Sequence, residues 1–239
     1  MQSILSKEQP ILPSLCDSDA SLSFSSIGAL FMDIAMLHAE TLGMGFTGFS
    51  QKGLFWVATK SRIKIIKDAR MAESTTINTW PEEAGVLRCN RNYEIVRDGE
   101  VIAQGKTEWA IVDAASHVPQ KTKGLFPEEL VISDKVGIEE PFLRLKGDFD
   151  GDFMGEYTIR SVDIDYGDHM NNVAYIRAIE GLFSAGEIRK RGFREFEIHY
   201  KNPCFEGCVL SFYCVEKDGR LEIKALDEEG QIAVLAAFS

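Results

Sequence analysis

The densest group of residues that could do chemistry lies in one short stretch of this 239-residue sequence. Residues 162–176 read VDIDYGDHMNNVAYI and carry three carboxylates, one histidine and two asparagines directly before a helical pattern. A helix start offers unpaired backbone N–H groups and a positive dipole end, which can hold the oxyanion of an acyl group under attack. Asp165 is the best candidate to activate water or to attack directly. His169 can orient that acid, polarise a carbonyl or protonate a leaving thiolate.

The same stretch also has an ordinary structural interpretation. Asn171 or Asn172 would cap the helix, and the aspartates would complement its dipole. His169 favours catalysis, because a helix cap needs no imidazole two residues upstream. Because of His169, we interpret residues 162–176 as a catalytic run rather than as a helix cap alone.

Other catalytic and cofactor-binding patterns are missing from the sequence. The segment GFSQK around Ser50 lacks the closing glycine of a G-x-S-x-G nucleophile elbow, and neither a phosphate-binding loop nor a dinucleotide fingerprint occurs. The five cysteines are irregularly spaced, and no further Cys or His at ligand spacing supports a zinc site. We therefore expect no metal and no redox cofactor.

Composition excludes two classes of partner and indicates a compartment. The net charge of −11 argues against nucleic acid, which is usually bound by basic surfaces. No window approaches the roughly 18 consecutive apolar residues of a membrane span. The first residues show no basic start followed by an apolar run, so no secretory signal is expected. Because the cysteines also fit a reducing compartment, we expect a cytoplasmic protein.

The candidate catalytic run belongs to the second of two similar sequence units. In the first unit, apolar residues recur at helical spacing over residues 24–42, and long alternating strands follow with a hairpin signal at Asp98-Gly99. The pattern restarts with a predicted helix over residues 172–190, a stop at Gly192 and a further strand series. Each unit therefore reads as one helix followed by antiparallel strands.

The order of the strands supports an internal repeat. Sliding the first half forward by 133 positions places Ile63 on Phe196 and Ile77 on Leu210. Between the halves lies an acidic, turn-rich segment, which we take as a linker. The predicted domains are therefore residues 1–130 and 156–239, joined by a linker over residues 131–155.

The run DIDYGDHMNNVAYI resembles the signature of the acyl-ACP thioesterases of plants and bacteria, in which Asp-x-Asn-x-His-x-Asn-Asn opens the helix of a second hotdog domain. The first half is similar to that family's first hotdog in LFWVATKSRIKI, the Trp80 strand, DGEVIAQGKTEWAIVD and FPEEL. The resemblance covers nearly the whole chain from about Phe24 onward. It implies an α+β double hotdog, in which each unit has a long central helix wrapped by an antiparallel sheet.

Carried over residue by residue, the resemblance makes Asp165 and His169 catalytic. It also makes Asn171 and Asn172, at the start of the helix, candidate substrate-binding residues. Two positions depart from the family pattern. Gly167 stands where the family has a catalytic asparagine, and Pro203-Cys204 stands where the family often has Glu-Cys. Asp168 or Glu206 could supply the missing polar group, and Glu206 is taken as a third candidate catalytic residue.

The resemblance also implies a reaction and a partner. It predicts hydrolysis of acyl thioesters on the 4′-phosphopantetheine arm of acyl carrier protein, with release of free fatty acids, by a monomer or a homodimer. Trp56 and the first helix are the predicted lining of the acyl pocket. The alternatives are an acyl-CoA thioesterase, a hotdog dehydratase, and an acyl-binding protein that has lost catalysis, for which Gly167 is the best argument.

An acidic carrier would need a local positive patch on this acidic chain. The sequence offers two sets of cations, each with an ordinary alternative as a solvated face or as favourable charges at a helix C-terminus. The first set precedes the hairpin and the second follows the later helix; they are Lys60, Arg62, Lys64 and Lys67, and Arg189, Lys190, Arg191 and Arg194.

Overall fold

The computed structural model describes residues 3–239 of the chain. Over these residues it contains ten β-strands and four α-helices, divided between two compact units. The first unit ends at Glu140, and the second is Pro141–Ser239. Within the same residues, every helix falls short of the length or the apolar character that a membrane span requires.

The first unit packs a five-stranded antiparallel sheet against the long helix α1 (Phe24–Thr41), which the short helix α2 (Phe46–Ser50) follows. Its strands are β1 (Leu5–Pro10), β2 (Leu54–Ile65), β3 (Ser74–Pro81), β4 (Cys89–Arg97) and β5 (Glu100–Asp113). Within this unit they lie in the order β1-β3-β4-β5-β2.

The second unit repeats this architecture with its own helices, α3 (Asn172–Glu180) and α4 (Ala185–Arg191). Its strands are β6 (Asp152–Thr158), β7 (Glu195–Tyr200), β8 (Val209–Lys217), β9 (Arg220–Leu226) and β10 (Ile232–Phe238). Within this unit the order is β6-β8-β9-β10-β7. Each strand occupies the place of its counterpart in the first unit, as the sequence repeat predicts.

Helix α1 is defined by its cap and its apolar face. Ser23 Oγ accepts a hydrogen bond from the N–H of Ser26 at 3.1 Å, which satisfies one of the open donors at a helix start. Ile27 and Phe31 are buried, and the Phe31 ring stacks on Tyr93 of the sheet with centroids 4.7 Å apart. After the helix, Gly43 adopts a φ of 68°, a conformation that ends helices and favours glycine.

The second unit's helix is interrupted, so the prediction of one continuous helix over residues 172–190 is wrong. Helix α3 ends at Glu180, and α4 starts anew after Ser184. Ser184 Oγ accepts from the Glu187 N–H at 3.3 Å, and the Glu187 carboxylate accepts from the Ser184 N–H at 2.8 Å. This reciprocal capping box starts a helix rather than continuing one. Gly192, with a φ of 58°, ends α4 as predicted.

The hairpin predicted at Asp98-Gly99 is confirmed. Asp98 and Gly99 have φ values of 52° and 82°, and they connect β4 directly to β5. Two successive residues with positive φ match the twist of the strands on either side. The turn therefore sets the register of β4 and β5.

The predicted linker, residues 131–155, divides between the two units and contains no strand before β6. In the first unit, the indole N–H of Trp80 donates to the carbonyl oxygen of Lys135 at 2.9 Å. In the second unit, Leu145 is buried against Leu235. Both parts of the segment are thus held against a sheet. The predicted domain limits stay a prediction.

Candidate active site

A tight loop places Asp165 and His169 side by side. The N–H of Asp165 donates to the carbonyl oxygen of His169 at 3.0 Å, and the N–H of Asp168 donates back to the carbonyl oxygen of Asp165 at 3.1 Å. Asp168 has a φ of 61°, which aspartate tolerates better than most residues. Ile164 and Met170 pair as an antiparallel bridge and close the loop.

The side chains of Asp165 and His169 form a loose, accessible pair. Asp165 Oδ1 lies 3.9 Å from His169 Nδ1, beyond the range of a direct hydrogen bond. The side chains are 28% and 25% exposed, so both can reach solvent. Asp165 Oδ1 also accepts a hydrogen bond from the Gly167 N–H at 2.8 Å, which fixes the carboxylate relative to the loop. The arrangement leaves both groups available to a water molecule and an acyl carbonyl.

Gly167 is the position where a side chain would disturb this pair. A Cβ atom built there would lie 2.8 Å from His169 Cε1 and 3.1 Å from Asp165 Oδ1. Any larger residue must therefore displace the imidazole. Glycine at 167 therefore leaves room for the imidazole and the carboxylate where they now lie, whereas an asparagine there would require another position of the ring.

At the start of α3, one asparagine caps the helix and the next offers an open N–H, so the structural and the catalytic interpretation each apply to one residue. Asn171 Oδ1 accepts from the Val173 N–H at 2.8 Å, so Asn171 is the helix cap. Asn172 is the first helical residue, and its carbonyl oxygen accepts from the Tyr200 hydroxyl at 3.1 Å. Within residues 3–239 the Asn172 N–H has no hydrogen-bond acceptor. It is the open donor that a helix start provides for an oxyanion.

The third carboxylate of the run has a structural role. Both carboxylate oxygens of Asp163 lie 2.9 Å from the Tyr157 hydroxyl, which donates to them, and one also accepts from the Arg160 N–H at 2.9 Å. Its carbonyl oxygen accepts from the Asn171 N–H at 2.7 Å. Asp163 is buried and ties the strand before the loop to the helix cap.

Cys204 supports the loop through its backbone. Its carbonyl oxygen accepts from the Met170 N–H at 2.8 Å. The thiol is buried, and burial raises its pKa, which disfavours the thiolate needed for a nucleophile. The thiol faces Tyr175 inside the second unit. These features agree with a buried structural cysteine.

Glu206 is the third candidate catalytic residue. It is exposed, and within the described residues it has no hydrogen bond or ion pair with Asp165 or His169. The ring centroid of its neighbour Phe205 lies 6.0 Å from that of His169. A catalytic role for Glu206 stays a prediction.

Sequence reasoning missed that the first unit contains the same loop. There the Asp17 N–H donates to the Ser21 carbonyl oxygen at 2.8 Å, and the Asp19 N–H donates to Asp17 Oδ1 at 2.8 Å. Cys16 and Leu22 form the closing bridge. The signal was present in DSDASLS and DYGDHMN, which align an aspartate at the first place and a cap at the last.

Comparison of the two loops shows which residues form the turn and which residue is particular to the second loop. An aspartate holds the turn in both, so Asp17 and Asp165 share a structural function. Ser21 in the first loop occupies the place of His169 in the second. The imidazole is therefore an addition to a loop that folds without it, and only the second loop combines a carboxylate with a titratable base.

Trp56, the predicted pocket residue, lies in the first unit among aromatic neighbours. Its indole N–H donates to the Met44 carbonyl oxygen at 2.7 Å, and its ring stacks on Phe49 with centroids 5.4 Å apart. Edge contacts to Trp109 and Phe126 complete an aromatic cluster. Its role in substrate binding stays a prediction.

Both predicted sets of cations contain members that form ion pairs. In the first set, Lys60 pairs with Glu108 at 3.1 Å and Lys67 pairs with Glu100 at 2.5 Å, while Arg62 is buried. In the second set, Arg191 pairs with Glu216 at 2.6 Å. The last turn of α4 and the residues after it present exposed cations, namely Arg189, Lys190 and Arg194.

Two family models together match most of the chain. The family model for the acyl-ACP thioesterase N-terminal domain matches residues 6–126, and the model for the C-terminal domain matches residues 148–234. The chain is 25% identical over 211 residues to a chloroplastic palmitoyl-acyl carrier protein thioesterase of Arabidopsis thaliana, covering 81% of this chain and 50% of that protein. It spans about half the length of the curated relatives it matches.

Solved structures show the same fold along the whole chain. An acyl-ACP thioesterase from Bacteroides thetaiotaomicron superposes with a TM-score of 0.90 at 22% identity, covering 99% of this chain and 97% of that one. The 12:0-ACP thioesterase from Umbellularia californica gives a TM-score of 0.82 at 16% identity, covering 100% and 97%. The predicted α+β double-hotdog class is confirmed. The chain belongs to the acyl-ACP thioesterase family.

Proposed function

We propose that this protein is a thioester hydrolase that releases free fatty acids from acyl-acyl carrier protein during fatty acid biosynthesis. The observation that carries the proposal is the accessible pair of Asp165 and His169 beside the start of α3, in a chain of this family. Relatives named as palmitoyl- and oleoyl-acyl carrier protein thioesterases support the substrate class.

The residues of the loop suffice for the chemistry of hydrolysis. Asp165 takes a proton from water, and the resulting hydroxide adds to the thioester carbonyl carbon. The oxyanion that forms is stabilised at the start of α3, where the Asn172 N–H is open. When the intermediate collapses, the carbon–sulfur bond breaks, and the proton that Asp165 took from water passes by way of His169 to the leaving thiolate. The products are one carboxylic acid and one thiol, so atoms and charges balance.

The carrier protein is the proposed partner, and charge decides where it can dock. This chain carries a net charge of −11, so an acidic carrier is repelled except at a local positive patch. The exposed cations at the end of α4, Arg189, Lys190 and Arg194, form such a patch.

The proposal is tested by the release of thiol from a panel of acyl-carrier-protein and acyl-CoA thioesters. We expect hydrolysis of the carrier-protein substrates, and a loss of about a thousandfold or more in kcat for Asp165→Asn, as for removal of an essential group. Asp17→Asn is the matched control, because Asp17 holds the same turn in the first unit without a histidine beside it.

The outcomes separate the competing functions. Faster hydrolysis of CoA thioesters than of carrier thioesters would favour the acyl-CoA alternative. Tight binding of acyl carrier protein without thiol release in the wild type would show that Gly167 marks a lost activity. Equal losses for Asp17→Asn and Asp165→Asn would indicate that the aspartate acts only through the fold of the loop.

A further inference from the structure

The helix-facing side of the first unit's sheet carries a row of polar side chains. Arg91 of β4 is in register with Thr107 of β5, and Thr107 is in register with Ser61 of β2. Alternate residues of a strand share a face. Tyr93, two residues after Arg91, stacks on Phe31 of α1, so this row faces the helix. We call Arg91, Thr107 and Ser61 the polar row.

Arg91 is the charged member of the polar row and has no acidic partner. Its Nη1 lies 2.9 Å from Nδ1 of the buried His38 on α1 and 3.3 Å from Oγ1 of Thr79. Across residues 3–239 it makes no ion pair with any carboxylate. A buried cation of this kind usually requires an anionic or strongly polar neighbour.

Two further donors near the polar row are unsatisfied. The Tyr93 hydroxyl and the Trp109 indole N–H are buried and lack a hydrogen-bond partner among the described residues. Tyr93 faces Thr107 and Trp109, but without acceptable hydrogen-bond geometry. Each such group costs about 1–3 kcal/mol when left unpaired. Side chains with these properties are expected where a ligand completes the hydrogen bonds.

The surroundings of Arg91 are consistent with a lining residue. Burial lowers the pKa of its guanidinium, yet the residue retains part of its accessible surface. A side chain enclosed by protein that still has accessible surface borders open space. Thr107 and Ser61, by contrast, are buried and bond to each other, with their oxygens 3.2 Å apart.

A plain hydrocarbon tail does not match this lining. Against an alkyl group, the Tyr93 hydroxyl and the Trp109 indole N–H would stay unpaired and the charge of Arg91 would stay without an anionic partner, which adds a desolvation penalty to binding. A terminal oxygen on the acyl chain would accept from the guanidinium and remove much of that penalty. Donors dominate the set, so the matching ligand group is an acceptor.

We propose that the first unit selects acyl groups whose end distant from the thioester carries an oxygen acceptor, a hydroxyl or a carboxylate, bound by Arg91. This inference rests on the proposed thioesterase function and narrows its substrate class. The guanidinium offers a planar fork of donors for either group, and a carboxylate would also neutralise its charge.

The test is hydrolysis of carrier-protein thioesters of equal chain length that end in a methyl, a hydroxyl or a carboxylate group. We expect kcat/KM for at least one oxygenated end to exceed that for the methyl end by about tenfold, as for one hydrogen bond to a charged group. Arg91→Met should abolish the preference while hydrolysis of the methyl-ended substrate continues. The hydroxyl and carboxylate arms identify which acceptor is selected.

Two controls keep the test independent of folding and of the catalytic proposal. Arg88→Met, just before the same strand, removes an exposed arginine and should leave the preference unchanged. Calorimetric binding of the corresponding free acids to wild type and Arg91→Met reports selection without any turnover. Absence of hydrolysis with every substrate would overturn the proposed function, whereas binding selectivity would still decide the role of Arg91.

Two results would contradict the selection of oxygenated acyl ends by Arg91. Equal rates and equal binding for the three ends in the wild type would refute the selection. So would a variant Arg91→Met that merely accepts longer alkyl chains, because Arg91 would then limit chain length without recognising an oxygen.

Discussion

At the residue scale, the candidate site depends on the small residue Gly167 as well as on Asp165 and His169. Asp165 and His169 could be recognised from their types, but their separation of 3.9 Å depends on Gly167 between them. In the sequence Gly167 suggests a lost activity, whereas in the structure it leaves room for the His169 ring in its present position.

Gly167→Ala is expected to lower kcat without unfolding the protein. Gly167 does not have a left-handed φ, so alanine introduces no backbone strain, but its Cβ would lie 2.8 Å from His169 Cε1 and displace the ring. Displacement of a catalytic group by about 1 Å can cost about a hundredfold in rate. Steady-state thiol release measures the loss.

The matched control is Gly186→Ala, where an added Cβ meets nothing closer than 4.0 Å. Its kcat and thermal midpoint should both stay near the wild-type values. If Gly167→Ala were as active as Gly186→Ala, the position of His169 would not matter for turnover.

At the element scale, the two units use the same device, a tight loop that ends in a capped helix. Ser23 caps α1 through the Ser26 N–H, and Asn171 caps α3 through the Val173 N–H. In the first unit the cap only starts a long helix. In the second it also orients the helix start that faces the candidate catalytic loop.

Removal of either cap is therefore expected to lower the free energy of unfolding equally, but only removal of the α3 cap should lower kcat. Ser23→Ala and Asn171→Ala should each lower the free energy of unfolding by about 1 kcal/mol. Only Asn171→Ala should also reduce kcat, because it frees the Val173 N–H and loosens the start of α3. Denaturant titration and thiol release measure the two effects. A comparable fall in kcat for both variants would mean that the cap acts on activity through global stability.

At the scale of the whole molecule, we expect acid to act mainly on the first unit. Carboxylates whose pKa is lowered in the folded state are concentrated there. They are Glu73, Glu82, Glu100, Glu108 and Asp113, against Glu187 in the second unit. A lowered pKa means that the charged form is favoured by folding, so acid should weaken the first unit before the second.

Glu82 allows a direct test of this pH dependence. Burial raises the pKa of Glu82, but hydrogen bonds from Lys106 and Asn92 outweigh burial and leave the pKa below its ordinary value of 4.5. Its contribution is therefore fully present above that value and lost as the pH falls through the lower, folded-state pKa. We expect Glu82→Gln to lower the thermal midpoint near neutral pH and to flatten its decline below about pH 4.5.

The neighbouring Glu83→Gln serves as the control, since Glu83 is exposed and makes no ion pair in the described residues. Thermal midpoints measured from neutral to acidic pH should follow the wild type. Parallel curves for Glu82→Gln and the wild type would show that this carboxylate does not drive the acid sensitivity.

Much of the fold is recorded in local sequence patterns. The helical spacing after Ser23, the hairpin at Asp98-Gly99 and the stop at Gly192 depend on residues a few positions apart, and the structure agrees with each. The interruption of the second helix was also legible locally, because Ser184 and Glu187 have the spacing of a capping box. Apolar residues continue at helical spacing past that signal, so periodicity alone predicts a single helix.

Some features of the candidate site can likewise be predicted from the sequence, and others arise only from folding. The types of Asp165 and His169, their nearness in sequence and the helix after them are properties of the sequence alone. The gap between their side chains and the lack of room at Gly167 arise from the way the loop folds. Likewise, Arg91, Thr107 and Ser61 are far apart along the chain, and strand register places them together. Local propensity specifies caps and turns, whereas contacts between distant strands are decided only when the whole sheet packs against its helix.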